Sequence, residues 1–266
     1  MYTIKAPIVS IMLLFGALLT QVAFADDYPL RKEFPDLKPM TTEELARNLA
    51  AGDAIVVDVR SDFEFETIHV KGAKHVSVAK QTFENDLEAQ RAKDGTTPLV
   101  FYCNGTTCAK SYKAAKQAQD AGFANCYVYD AGIFAWTEAH PDKASLMGKT
   151  PADPAKLISK ESLKQKTLDF DTFKAKAADA DAVVVDIRDP VQRKVRLDVG
   201  QERNIPLDRF KNVLERGDMK DKYLLIYDAV GKQVRWLMYH LEDKGYTQYA
   251  FLDGGVRKAI GGKKHY

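Results

Sequence analysis

The sequence predicts an α/β protein built from two similar domains, each a parallel sheet flanked by helices on both faces. Three observations carry that expectation. The chain repeats itself: Ala54-Ile55-Val56-Val57-Asp58-Val59-Arg60 matches Ala182-Val183-Val184-Val185-Asp186-Ile187-Arg188, and Leu99 to Tyr102 matches Leu224 to Tyr227. The apolar runs are short and lack polar alternation, as expected of strands covered on both faces. Helix-period segments separate them, so successive strands are joined by crossovers and run parallel.

A length of 266 residues accommodates two ordinary domains, and 45% hydrophobic with 29% charged residues is a normal globular balance. A net charge of +2 with no basic run beyond the short Gly261-Gly262-Lys263-Lys264 tail argues against a nucleic-acid partner.

In chain order, the first element is a single early cation, Lys5, followed by Ala6 to Phe24 without charge and Ala23-Phe24-Ala25 before Asp26-Asp27. Residues 1–25 therefore read as a signal peptide with a small-x-small cleavage site, which makes the mature protein periplasmic or secreted. A retained anchor is the alternative, because the uncharged stretch is nearly long enough to span a bilayer. Membrane contact is expected only in that case.

The first repeat, residues 41–148, opens with a helical pattern from Thr42 to Leu49 and continues into the run that ends at Asp58-Val59-Arg60. Asp58 and Arg60 are expected to hold loops through a charge pair and backbone hydrogen bonds. The run Leu99-Val100-Phe101-Tyr102 leads directly into Cys103 and the polar loop Asn104-Gly105-Thr106-Thr107-Cys108-Ala109-Lys110, which gives way to a helical pattern at Ser111. A thiol at the carboxyl end of a buried parallel strand meets loop N–H groups and a helix N-terminus, and both favour the nucleophilic thiolate. Gly122 ends the helix that follows, and Cys126 reads as a buried strand residue. His69 and His75 read as structural histidines, since a low-pKa thiolate needs no separate base.

Residues Gly148 to Pro154 have linker composition, and the second repeat, residues 159–266, follows the same order with Asp228 in the place of Cys103. The chain has three cysteines, so in an oxidising compartment at least one is unpaired or only transiently paired. Zinc fits poorly, because no second cysteine pair and only five histidines are present to complete a site.

Asp58-Val59-Arg60, Glu64-Phe65, His69-Val70, Gly72-Ala73, Tyr102-Cys103, Ser111, Ala114-Ala115, Gly122-Phe123, Asp130-Ala131-Gly132 and Ala135-Trp136 follow one another at the spacing of a known family. Over roughly residues 41 to 140 the chain resembles a rhodanese (thiosulfate sulfurtransferase-like) domain. Roughly residues 165 to 262 resemble it more weakly, keeping Asp186, Arg188, Gly200, Gly245 and Gly255 but with Gln192 in place of Glu64 and Leu197 in place of His69. The resemblance implies a tandem-rhodanese sulfurtransferase, to which the signal-like segment adds the expectation of export. Cys103 would accept sulfane sulfur as a persulfide from thiosulfate, polysulfide or a related small anionic donor, and pass it to a thiol, cyanide or partner protein. It further implies a substrate cradle of Asn104, Gly105, Thr106, Thr107, Cys108, Ala109, Lys110 and Ser111, with Lys110 as the anion-binding cation, and no cofactor or metal. The second domain would be non-catalytic, because a carboxylate cannot carry a persulfide; it would pack on the first and shape one wall of the cleft.

Two departures keep alternatives open. Ser111 stands eight positions after Cys103, whereas Val234 stands six after Asp228, so the first loop carries two extra residues. Longer loops in this fold accompany phosphate-type substrates, although a phosphatase would want arginine where Lys110 stands. The second departure is Cys108. It can close a reversible disulfide with Cys103 if their Cα atoms approach within about 7 Å, which would switch the site off or make the pair a dithiol redox centre. A non-enzymatic sulfur carrier would need the same cysteine and loop.

Overall fold

The computed structural model describes residues 28–91 and 95–262, so the expected signal segment, residues 1–25, lies outside the described residues. The first half contains β1 (Lys38–Pro39), α1 (Thr42–Ala51), β2 (Ile55–Asp58), α2 (Asp62–Thr67), β3 (Ile68–Val70), β4 (Lys74–His75), α3 (Phe83–Glu88), β5 (Leu99–Tyr102), α4 (Lys110–Asp120), β6 (Cys126–Tyr129), α5 (Gly132–Ala139) and β7 (Ala144–Leu146). The second half contains α6 (Lys160–Gln165), β8 (Thr167–Leu168), α7 (Phe170–Lys176), β9 (Ala182–Asp186), β10 (Glu202–Asn204), α8 (Leu207–Glu215), β11 (Tyr223–Tyr227), α9 (Val234–Asp243), β12 (Tyr249–Leu252) and α10 (Gly255–Ala259).

The first sheet has the order β1-β6-β5-β2-β4 and the second β8-β12-β11-β9-β10, with every neighbouring pair parallel. Matching strands by the sequence repeat superimposes the two orders, so the duplication is a duplication of topology. Both sheets are flanked by helices, as the short apolar runs predict. A separate antiparallel pair, β3 with β7, closes the first half.

Local signals set the helix ends. Thr41 caps α1 in a reciprocal box with Glu44, and Gly52 ends it in the left-handed conformation with φ 76°. Ser61 and Glu64 form the same box at the start of α2. In the second half this segment is only a 3-10 turn, Pro190–Gln192, with Gln192 where the first repeat has Glu64.

Alternate strand residues face opposite sides of a sheet. Val56, Val100 and Tyr102 of the first sheet share one core with Val185, Leu224 and Ile226 of the second. Val57, Phe101 and Cys103 face a separate outer core with Tyr112 and Ala115, and Val184, Leu225 and Tyr227 face another. Rings join the halves: Phe134 stacks on Trp236 at 5.7 Å, and Phe63 of α2 lies 4.7 Å from His240 of α9.

Trp136 lies in the shared core, fully buried, edge-on to Tyr129 at 5.9 Å, with Nε1 donating to Lys143 O at 2.9 Å. Trp136→Ala is expected to lower stability by about 3–5 kcal/mol, read from denaturant unfolding. A loss below 1 kcal/mol would show that the core collapses around the gap.

Candidate functional site

Cys103 follows β5 directly and is 1% exposed. Its carbonyl accepts a hydrogen bond from Ile133 N at 3.0 Å, which ties the strand end to the start of α5. Gly132 makes that approach possible: at φ 77°, a Cβ there would lie 2.3 Å from Gly105 N. Cys108 N donates to Gly105 O at 2.9 Å, closing a turn that brings Cys108 back over the strand end. The two cysteines are joined by a disulfide, with Cα atoms 6.2 Å apart. Cys103 Sγ is therefore oxidised in this state, and Cys108 is the more exposed partner.

A buried polar network carries the loop. Arg60, fully buried, donates from Nε and Nη2 to both oxygens of Asp58, from Nη2 to Ile68 O, and from Nη1 to Asn104 Oδ1 at 3.1 Å. Tyr102 OH donates to Asp58 Oδ2 at 2.5 Å and accepts from Val70 N. Burial, reinforced by the Asp58 charge, pushes the Tyr102 hydroxyl well above its ordinary pKa, so it stays a donor. The loop-holding role expected of Asp58 and Arg60 is thus seen directly, and Asp186 with Arg188 repeats the bidentate pair in the second half.

Glu64 grips the loop from the other side. Its Oε1 accepts from Asn104 Nδ2 at 2.7 Å, and its Oε2 from Lys110 Nζ at 3.2 Å and from Ser61 N and Oγ at 3.0 and 2.9 Å. Burial pushes this carboxyl up, but Lys110 and Arg60, helped by the bonds from Asn104 and Ser61, outweigh it and hold the pKa at about 2. Lys110, expected as an anion-binding cation, is thus partly committed to Glu64. Sequence reasoning did not put Glu64 in the site, although Ser61-x-x-Glu64 was legible as a cap; its clamp on Asn104 and Lys110 spans about forty residues and leaves no local signal.

Of the other expected residues, Asn104 joins the network through its side chain, while Thr107 and Cys108 line the cleft. Gly105, Thr106 and Thr107 have backbone N–H groups that, among the described residues, donate to no other group of the protein. Ala109 precedes α4, and Ser111 Oγ reaches back to Cys108 O at 3.5 Å. His69 and His75 sandwich Phe65, and their ring nitrogens meet Phe65 O and Arg60 O, so both serve the scaffold. Cys126 is buried at the start of β6, where burial pushes its thiol up to about 11. Among the described residues, no group of three or more His, Cys, Asp or Glu side chains gathers as a metal site.

The matching loop of the second half is closed by its own side chain. Asp228, fully buried, accepts from Val230 N at 2.8 Å, Gln233 N at 2.6 Å and Gly231 N. Backbone donors that could hold an external anion are occupied by a tethered carboxylate.

Between the halves lies a cleft of about 650 Å³. Glu64, Asn104, Thr107, Cys108 and Lys110 line it from the first half, and Lys232, Gln233, Arg235 and Trp236 from the second. Arg235 donates to Ile158 O at 2.6 Å and lies 4.0 Å over the Phe134 ring, while its buried Nε has no partner among the described residues. Burial lowers its pKa. These second-half residues were not named from the sequence, because nothing local marks them as facing Cys108.

A Rhodanese-like domain model matches residues 41–139. The chain is 32% identical over 105 residues to the thiosulfate sulfurtransferase GlpE of Pseudomonas aeruginosa, covering 38% of this chain and 86% of that protein. It is 34% identical over 83 residues to an HTH-type transcriptional regulator of Mycobacterium tuberculosis, of which it spans only 34%. The crystal structure of a thiosulfate sulfurtransferase from Pseudomonas aeruginosa aligns with 86% of this chain and 45% of that one, at 21% identity and a TM-score of 0.38.

The folded pKa of Glu64 lies below its unfolded value, so its contribution is complete above the unfolded pKa of 4.5 and is lost as pH falls toward about 2. Glu64→Gln is expected to cost roughly 2–3 kcal/mol at pH 7, with the gap to wild type narrowing below pH 4.5. Urea unfolding at pH 7 and pH 3 checks this; an equal deficit at both would show that Glu64 acts through shape alone.

Proposed function

The chain belongs to the rhodanese-like domain family, and on that premise we propose that it is a sulfurtransferase with Cys103 as nucleophile. The observation that carries this reading is the contrast between two loops of one ancestry. One opens on a cysteine and has backbone donors at Gly105, Thr106 and Thr107 that, among the described residues, no other group of the protein claims; the other has filled its donors with Asp228. A chain that keeps one anion cradle open at a cysteine is suited to anionic sulfur.

In the proposed reaction the Cys103 thiolate attacks the sulfane sulfur of thiosulfate, the bond to the sulfonate sulfur breaks, and sulfite leaves with the electron pair. A Cys103 persulfide anion remains beside the loop N–H groups. A thiolate or cyanide then takes the outer sulfur and restores Cys103. Because Glu64 offsets Lys110, recognition of the donor falls largely to the loop backbone and to Lys232 and Arg235 across the cleft. The uncharged stretch from Ala6 to Phe24 supports export of the mature chain, where sulfane donors and oxidants meet the site together.

The reaction starts only after the Cys103–Cys108 bond is reduced. Untreated protein is expected to be inactive, dithiol-treated protein to convert thiosulfate and cyanide to thiocyanate, and Cys103→Ser to lose that conversion by about three orders of magnitude or more. Thiocyanate formation that survives in Cys103→Ser would remove Cys103 from the chemistry.

A further inference from the structure

Given the persulfide reading above, on which this inference rests, we propose that Cys108 is the internal acceptor of the sulfur carried by Cys103. The protein would then release hydrosulfide by closing its own disulfide.

The first support is reach. With Cα atoms 6.2 Å apart and the two sulfurs bonded in this state, the turn that returns Cys108 from Gly105 O already holds its thiol against Cys103. The second is access: Cys103 is 1% exposed among outer-core side chains, whereas Cys108 lines the interdomain cleft. An external acceptor entering from the cleft must come past Cys108, whose thiol is linked through the same loop and so competes at high effective concentration. The third is construction: between strand and helix the loop of the second half, residues 228–233, is one residue shorter than residues 103–109 and has no cysteine, so Cys108 lies in a segment that differs from its own duplicate in length as well as sequence.

The step balances as follows. The Cys108 thiol gives its proton to the terminal sulfur of the Cys103 persulfide anion, and the Cys108 thiolate attacks Cys103 Sγ. The sulfur–sulfur bond of the persulfide breaks, hydrosulfide leaves with its electron pair, and the Cys103–Cys108 disulfide forms. A dithiol reductant closes the cycle. Its first thiolate attacks Cys108 Sγ, the sulfur facing the cleft, and frees Cys103 as thiolate. Its second thiol then displaces Cys108 and leaves as the oxidised dithiol. One thiosulfate and one dithiol are consumed, and one sulfite, one hydrogen sulfide and one disulfide are produced.

A single-turnover experiment on the full mature chain tests this. The protein is reduced, freed of reductant and mixed with thiosulfate without any acceptor; sulfite, sulfide, alkylatable thiols and the mass of the Cys103 peptide are then followed. Wild type is expected to release sulfite and sulfide in equal amounts and to end with Cys103 and Cys108 disulfide-bonded. Cys108→Ser, checked for native folding by circular dichroism, is expected to release sulfite, retain the added sulfur on Cys103, and yield at least about tenfold less sulfide. Wild-type protein that keeps its persulfide with Cys108 freely alkylated, or equal sulfide from both proteins, would overturn the role of Cys108. A failure of both proteins to release sulfite or gain sulfur from thiosulfate or polysulfide would instead overturn the persulfide reading, and this inference with it.

Discussion

The buried pair of Asp58 and Arg60 is the constraint on which the site depends. Two opposite charges removed from water hold together only if their remaining donors and acceptors are also met. Here Tyr102, Ile68 O and Asn104 meet them. Satisfying the pair therefore fixes the end of β2, the last residue of β5, the exit of α2 and the first residue of the reactive loop in one stroke. Removing a single partner from such an arrangement typically costs about 3–5 kcal/mol, which makes the network a stiff floor beneath the loop that carries Cys103 and Cys108. The same Asp-x-Arg pair sits beneath the second loop.

On that common floor the loops differ in length, in Cys108 and in the residue that follows the strand, Cys103 in one and Asp228 in the other. A carboxylate on the residue after the strand folds back into the ring of backbone donors and supplies the negative charge that the ring favours. The loop becomes self-contained, and its helix, α9, contributes packing instead: His240 against Phe63, Trp236 against Phe134.

Much of this was legible in the sequence. Unalternated apolar runs gave the strands, the pattern from Thr42 to Leu49 most of α1, and the paired Asp-x-Arg motifs the repeat and the loop anchors. Cys103 stood out because strand, loop and helix start are contiguous around it, and its pairing with Cys108 was visible as a short-range possibility. What escaped was carried by contacts between distant segments. Glu64 reads as half of a capping box, and only the folded chain brings Asn104 and Lys110 to its other oxygens. The core shared by Val56, Tyr102, Val185 and Ile226 looks, in sequence, like two independent sheets, because period alone does not say which face meets which. Arg235 and Trp236 read as a helix start until the halves are assembled.

The seat of Gly132 against Gly105 has a wider consequence. With the rear of the reactive loop in backbone contact with α5, added residues have no room behind the strand and must extend forward, toward the second half. Loop length thus becomes an adjustable spacer mounted on an unchanging frame. Insertions alter how far the chain projects into the cleft while the sheet, the buried ion pair and the shared core keep their register, so new reactivity can be tried at this position without the fold having to be solved again.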